Sequence, residues 1–264
     1  MRGWTIVTVV LVYLLFAAAA RLVLTARVHR RFAARLLQVA SRFLLRLTKI
    51  RLHVIGTPPP ELHTEGEVRL LISNHLSYVD VWALATQIPI CFVTSVEVRD
   101  SGVLGTICKI AGCLFVERRS KAALKSELGV LTQTLREVHS LGIFPEGTSS
   151  NGDQVLPFKG SLFQTALLAD ATILPVCLRY TRANDLPITP ETRDAICFYD
   201  DMEFFDHFSR MRQLRSIDLE LEFLEPITGA QIRQVSDDIG IQRKWAAQTA
   251  RERIQSRYRP ILGI

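Results

Sequence analysis

Val68-Arg69-Leu70-Leu71-Ile72-Ser73-Asn74-His75-Leu76-Ser77-Tyr78-Val79-Asp80 sets a short apolar run directly ahead of a polar turn. The run at 68–73 has the length of a strand, is rich in aliphatic residues and is closed by Ser73 and Asn74, so it predicts a buried β-strand. Further along, Leu141-Gly142-Ile143-Phe144-Pro145-Glu146-Gly147-Thr148-Ser149-Ser150 repeats the arrangement. In open α/β sheets, ligands gather outside the carboxyl ends of the strands. Both stretches therefore bring titratable side chains to such a place: His75 and Asp80 from the first, Glu146 from the second.

Further strands are predicted at 90–95, 113–117, 171–180, 195–199 and 217–224, with helical patterns at 121–139 and 239–258. Strands alternating with helices imply an α/β fold with a mixed, largely parallel sheet and helices on both faces. The 264-residue length suits one such domain with an added element. Thr57-Pro58-Pro59-Pro60 cannot continue a helix, so the boundary is placed there, with an arm at 1–56 and a catalytic body at 57–264.

The arm carries the pattern of a membrane anchor. No charge interrupts 3–20, and with Arg21 snorkelling the apolar segment extends over 3–26. A basic amphipathic helix is predicted over 27–50. On a helical wheel Arg31, Arg35, Arg42, Arg46 and Lys49 fall within an arc of about 60°, while Phe32, Leu36, Val39, Ala40, Phe43, Leu47 and Ile50 lie between about 80° and 180°. Such a helix can rest in the headgroup plane of anionic membrane lipids. A cleaved signal peptide and a core-packing helix with a solvated basic face fit parts of the same pattern. Positive charge after the apolar segment places the body on the cytoplasmic face of the cell membrane.

Residues 1–60 hold ten Lys or Arg and no Asp or Glu, leaving 22 basic against 26 acidic residues in the remainder. A body that is net acidic argues against nucleic-acid binding, despite the overall charge of +6. Cys91, Cys108, Cys113, Cys177 and Cys197 are odd in number and form no C-x-x-C pair, which points to buried thiols in a reducing compartment rather than to disulfides or zinc.

His75 and Asp80 are five residues apart, which on one continuous helix separates their side chains by about 140°. They meet only if His75 sits in the strand-to-helix turn and Asp80 in the first turn of a helix capped by Ser77. The carboxylate can then orient the imidazole, giving a dyad able to take a proton from a hydroxyl. A plain polar turn, with Asn74 and Ser77 as caps and His75 merely packed, fits the same residues. Glu146, between Pro145 and Gly147, can accept hydrogen bonds from a polyol or take part in proton transfer.

Asn74-His75-Leu76-Ser77-Tyr78-Val79-Asp80, then Gly112-Cys113-Leu114-Phe115-Val116-Glu117-Arg118-Arg119-Ser120, then Phe144-Pro145-Glu146-Gly147-Thr148 followed by Leu156-Pro157-Phe158-Lys159-Gly160-Ser161, then Ile173-Leu174-Pro175-Val176 resemble the four ordered blocks of the glycerolipid acyltransferase family. The resemblance implies that His75, oriented by Asp80, activates a lysolipid hydroxyl for direct attack on an acyl thioester. It implies an acyl-CoA or acyl carrier protein donor and no resident cofactor or metal. Arg118, Glu146, Gly147 and Thr148 are the implied acceptor-binding residues, with Lys159 a further candidate for anion contact. Pro175 fits a strand bend equally well. Phosphatidate-forming members usually carry arginine after FPEGT, where this chain has Ser149. The acceptor is therefore expected to be 1-acyl-glycerol-3-phosphate or another lysolipid such as lyso-ornithine lipid.

Three other readings remain on the residues alone. A lipid hydrolase with Ser77 as nucleophile lacks a G-x-S-x-G elbow. A metal hydrolase built on His75 and Asp80 lacks a third ligand in recognisable spacing. A non-catalytic membrane-binding module leaves the four blocks unexplained.

Overall fold

The computed structural model describes residues 2–56, 67–117 and 121–263. The chain opens with two helices, α1 (Arg2–Val23) and α2 (Ala26–Leu47), followed by strand β1 (Ile50–Ile55). β2 (Arg69–Ser73), α3 (Val79–Gln87) and β3 (Cys91–Ser95) come next, then α4 (Val96–Arg99), α5 (Val103–Ile110) and β4 (Leu114–Val116). α6 (Lys121–Val138), β5 (Ser140–Ile143), α7 (Gln164–Ala169) and the long β6 (Thr172–Ala183) follow. α8 (Pro190–Ile196), α9 (Phe204–Gln213), β7 (Ile217–Phe223), α10 (Gly229–Arg233) and α11 (Ile239–Arg257) complete the order.

The strands form one seven-stranded sheet in the order β1-β7-β6-β2-β5-β3-β4. All neighbouring pairs are parallel except β6 with β7, so the sheet is mixed and largely parallel. β2 lies near the centre and is buried along its whole length, as a parallel strand covered on both faces must be. One face packs α3, α8, α9 and part of α2 over Leu71, Leu174, Leu178 and Leu219. The other packs α6, α7 and α11 over Leu70, Ile72, Leu141 and Ile173. Because β2 and β5 run side by side in the same direction, the turns that leave their carboxyl ends emerge together.

Two sequence expectations change. The amphipathic helix stops at Leu47, where Lys49 adopts a left-handed φ of 62° and turns the chain into β1. Ile50, expected on the helix, is a buried strand residue paired with Ile217, so the end of the arm is built into the sheet. The strand expected at 195–199 does not form. Thr189 and Thr192 make a capping box with Pro190 at the helix start, which commits Ala195 and Ile196 to α8. The proline boundary at 57–60 lies outside the described residues.

α1 and α2 pack against each other, with His29 Nε2 3.2 Å from the Ala17 carbonyl. Residues Thr5–Val23 of α1 have a mean hydropathy of 2.5, and the helix is long and apolar enough to cross a membrane by length and composition. α2 buries Ala33, Ala34, Ala40, Leu44 and Leu45 against its neighbours. Phe32, Val39 and Phe43 from its expected apolar face stay exposed, as do Leu11, Leu15 and Phe16 of α1. Exposed apolar surface on this scale signals a membrane or partner rather than a core.

Candidate active site

His75 leaves the carboxyl end of β2 in a turn, and Asp80 is the second residue of α3. The five-residue spacing closes because the backbone between them folds around the carboxylate. Asp80 Oδ2 accepts from His75 Nδ1 at 2.9 Å, from the Leu76 amide at 2.6 Å and from the Ser77 amide at 2.8 Å. Its other oxygen, Oδ1, accepts from the Tyr180 hydroxyl at 2.8 Å. The helix-capping role expected of Ser77 is not filled: the N-cap residue of α3 is Tyr78, which makes no side-chain cap bond, and Asp80 instead satisfies amides of the turn ahead of the helix. The Ser77 hydroxyl makes only a marginal 3.5 Å contact with the Val79 amide.

These contacts decide the chemistry of the imidazole. A carboxylate only accepts, so the bond to Asp80 places the proton on Nδ1 and leaves the Nε2 lone pair for an incoming hydroxyl. The His75 side chain remains 22% exposed, while Asp80 is fully buried. Phe144 stacks on the His75 ring at a centroid distance of 3.9 Å and an interplanar angle of 14°, which fixes the ring plane. Asn74 does not cap a helix. Its side chain gives and receives 2.9 Å bonds with the Leu178 backbone, tying the end of β2 to β6.

The loop after β5 closes over this turn. The Ser150 amide donates to the His75 carbonyl at 3.0 Å, and the Lys159 amide to the Pro145 carbonyl at 2.9 Å. Gly147 takes a φ of 82°, a left-handed conformation that glycine adopts without cost. Glu146 is buried, and its Oε1 lies 3.4 Å from the His75 amide. Its Oε2 is buried with no hydrogen-bond partner among the described residues. Burial chiefly pushes this carboxyl up to about 8, with the Asp80 charge adding to the rise and the His75 amide opposing it.

The structure thus brings His75, Asp80, Glu146 and Gly147 together. Thr148 and the Lys159 side chain are exposed on the adjoining segment. Arg118 lies outside the described residues. Ser149, where a cation was the family expectation, donates its hydroxyl to the Phe198 carbonyl. Ser77 is fully buried, which removes the nucleophile of the hydrolase reading. Among the described residues, no three His, Cys, Asp or Glu side chains gather in a metal-holding group.

Two contributors escaped the sequence. Tyr180 sits on a strand whose apolar neighbours give it no distinguishing signal. Arg251, on α11, binds the Leu156 carbonyl at 3.1 Å and the Val155 carbonyl at 2.9 Å, holding the segment that follows the Glu146 loop.

Comparison with known proteins gives a consistent result. A family profile described as Acyltransferase matches residues 59–179. The chain is 31% identical over 193 residues to the lyso-ornithine lipid O-acyltransferase of Brucella abortus, covering 70% of each chain. It is 36% identical over 126 residues to the 1-acyl-sn-glycerol-3-phosphate acyltransferase of Neisseria gonorrhoeae, covering 48% of each. The crystal structure of the 1-acyl-sn-glycerophosphate acyltransferase PlsC from Thermotoga maritima superposes with a TM-score of 0.56 at 16% identity, covering 97% of each chain, and shares the fold.

Proposed function

This chain belongs to the lysolipid acyltransferase family, and from that premise we propose that it moves a fatty acyl group from acyl-CoA or acyl carrier protein to the free hydroxyl of a lysolipid at a membrane. The observation that carries the reading is the 2.9 Å bond between His75 Nδ1 and a fully buried Asp80, beside an accessible imidazole edge. His75 Nε2 takes the hydroxyl proton as the oxygen attacks the thioester carbonyl. The tetrahedral intermediate then expels the thiolate, and the imidazolium returns the proton to sulfur. An ester and a thiol result, with no acyl-enzyme and no resident cofactor.

Glu146 receives the acceptor. Its Oε2, unpartnered among the described residues, is suited to a hydroxyl of the lysolipid backbone, and Gly147 lets that backbone approach the loop. Arg118, Thr148 and Lys159 serve the head group, a guanidinium being able to hold two phosphate oxygens at once. The apolar surface of α1 and α2 holds the enzyme on the membrane with its body on the cytoplasmic face.

The first acceptor to consider is 1-acyl-glycerol-3-phosphate, giving phosphatidic acid. A second, lyso-ornithine lipid, is favoured by one specific observation: Ser149 places a hydroxyl, already committed to Phe198, where phosphatidate-forming members carry a cation. The test is acyl transfer by the full-length chain to a panel holding both lysolipids, with one thioester donor. Transfer to either supports the acyltransferase reading and their ratio assigns the head group. Failure with every lysolipid, in the panel run first with acyl-CoA and then repeated with acyl carrier protein as the donor, overturns it.

A further inference from the structure

We infer that Tyr180 is a positioning residue for acyl transfer, acting through Asp80 on the imidazole of His75. The inference rests on the reading of His75 as the base. It starts from the unequal lengths of two neighbouring strands. β6 is twelve residues long and β2 five, and their register ends at Ser73 opposite Val176, so β6 runs on beyond β2 as a wall behind the turn that carries His75.

Two side chains use that overhang. Asn74 continues the pairing by exchanging hydrogen bonds with both backbone groups of Leu178. Side chains on a strand alternate between faces, so Tyr180 is the next residue on the face of Leu178. Its hydroxyl there meets Asp80 Oδ1 at 2.8 Å. The register of β6 against β7 shifts between Tyr180 and Arg182. Such irregularities re-aim side chains and recur beside active sites.

The contact divides Asp80 into two halves. Oδ2 serves His75 and two amides of the turn, whereas Tyr180 is the donor to Oδ1 among the described residues. Deep burial and the neighbouring Asp80 charge hold the Tyr180 hydroxyl well above the usual phenol range, so it stays a proton donor across the working pH range. The phenol fixes the carboxylate plane and draws off part of its negative charge, and both effects reach the imidazole through Oδ2. Glu146, Tyr78, Cys197 and Tyr258 are the other titratable groups that sense this pocket, and Tyr180→Phe leaves each of these side chains in place.

Tyr180→Phe keeps the ring and deletes only the bond. Steady-state transfer is measured for this variant, for Asp80→Asn and for the two combined, each well below its unfolding temperature. We expect kcat to fall about tenfold, in line with the loss of an outer-shell partner, with the lysolipid KM nearly unchanged. The acid limb of kcat/KM should move to higher pH, because an unshared carboxylate charge favours the protonated ring. In the Asp80→Asn background the same change should cost little more, since the carboxylate charge it acts through is gone. A wild-type kcat and pH profile would overturn the inference, even if thermal stability drops, as would an equal loss in the Asp80→Asn background. His75→Ala separates the two levels: an active His75→Ala enzyme removes the base reading itself, whereas an inactive one alongside an unaffected Tyr180→Phe removes only the role of the tyrosine.

Discussion

The turn after β2 and the loop after β5 touch each other yet are built in opposite ways. In the turn, both oxygens of Asp80 are engaged, by an imidazole, two amides and a phenol. In the loop, the buried carboxyl of Glu146 keeps one oxygen without a partner among the described residues, and the side chains of Thr148 and Lys159 reach solvent. A saturated cluster resists distortion, whereas an unsatisfied buried oxygen costs free energy until something hydrogen-bonds to it. The difference assigns the two regions their tasks. In the proposed reaction, the proton-transfer apparatus is complete before substrate arrives, and acceptor recognition is left for the acceptor to complete.

The contrast breaks most severely at Asp80. Asp80→Asn replaces an acceptor-only group with an amide that cannot satisfy the same donors and no longer enforces the Nδ1-protonated tautomer. A loss of about 10³-fold in kcat is expected, by analogy with the orienting carboxylate of other His-containing sites. A fall of roughly 1–3 kcal/mol in stability should accompany it, because buried donors lose their acceptor. Rate measurements and urea unfolding of the same preparation check both.

Glu146→Gln strikes the open region, so its effect should be smaller and of a different kind. The lysolipid KM is expected to rise about tenfold, with a lesser change in kcat, as for a group that binds the acceptor. The variant also tests the buried carboxyl. Its folded value is raised from the usual 4.5 to about 8, so the native chain retains a proton that the unfolded chain has released. That contribution to stability is fully present below about 4.5 and is lost as pH rises through about 8. Melting temperature should therefore fall over that window in the wild type and change less in Glu146→Gln.

Ser149→Arg sharpens the comparison by placing a cation at position 149, where this chain carries a hydroxyl. Preference for a phosphomonoester acceptor over a zwitterionic one should rise several-fold, measured as the ratio of kcat/KM values. The smallest effect is expected outside both regions. Phe43→Ser on the exposed face of α2 should weaken vesicle binding a few-fold and leave kcat in detergent unchanged.

How much of this was legible in the sequence follows the same division. β2 and β5, as buried apolar runs closed by turn residues, were found within a residue or two, and the meeting of His75 with Asp80 followed from placing them across a strand-to-helix turn. The apolar surface of the arm was also legible, since Phe32, Val39 and Phe43 share one helical face. Periodicity failed where a short-range conformation overrode it. The left-handed turn at Lys49 ended α2 early, and the capping box at Thr189 took Ala195 and Ile196 from an expected strand. Tyr180 and Arg251 were invisible for another reason. Their contacts with Asp80 and with the segment beside Glu146 join residues far apart in the chain, and neither residue type carries a local signal for such a bond.

The central claim is that His75 is the base for direct transfer, in a site whose membrane attachment is separate from its chemistry. His75→Ala, assayed for thioester-dependent acylation of the best lysolipid from the panel and for sedimentation with vesicles, tests it most directly. A loss of at least about 10³-fold in transfer is expected, the scale for removing a positioned general base, with vesicle binding equal to that of the wild type. Transfer within tenfold of wild type by a folded, membrane-bound His75→Ala protein would contradict it.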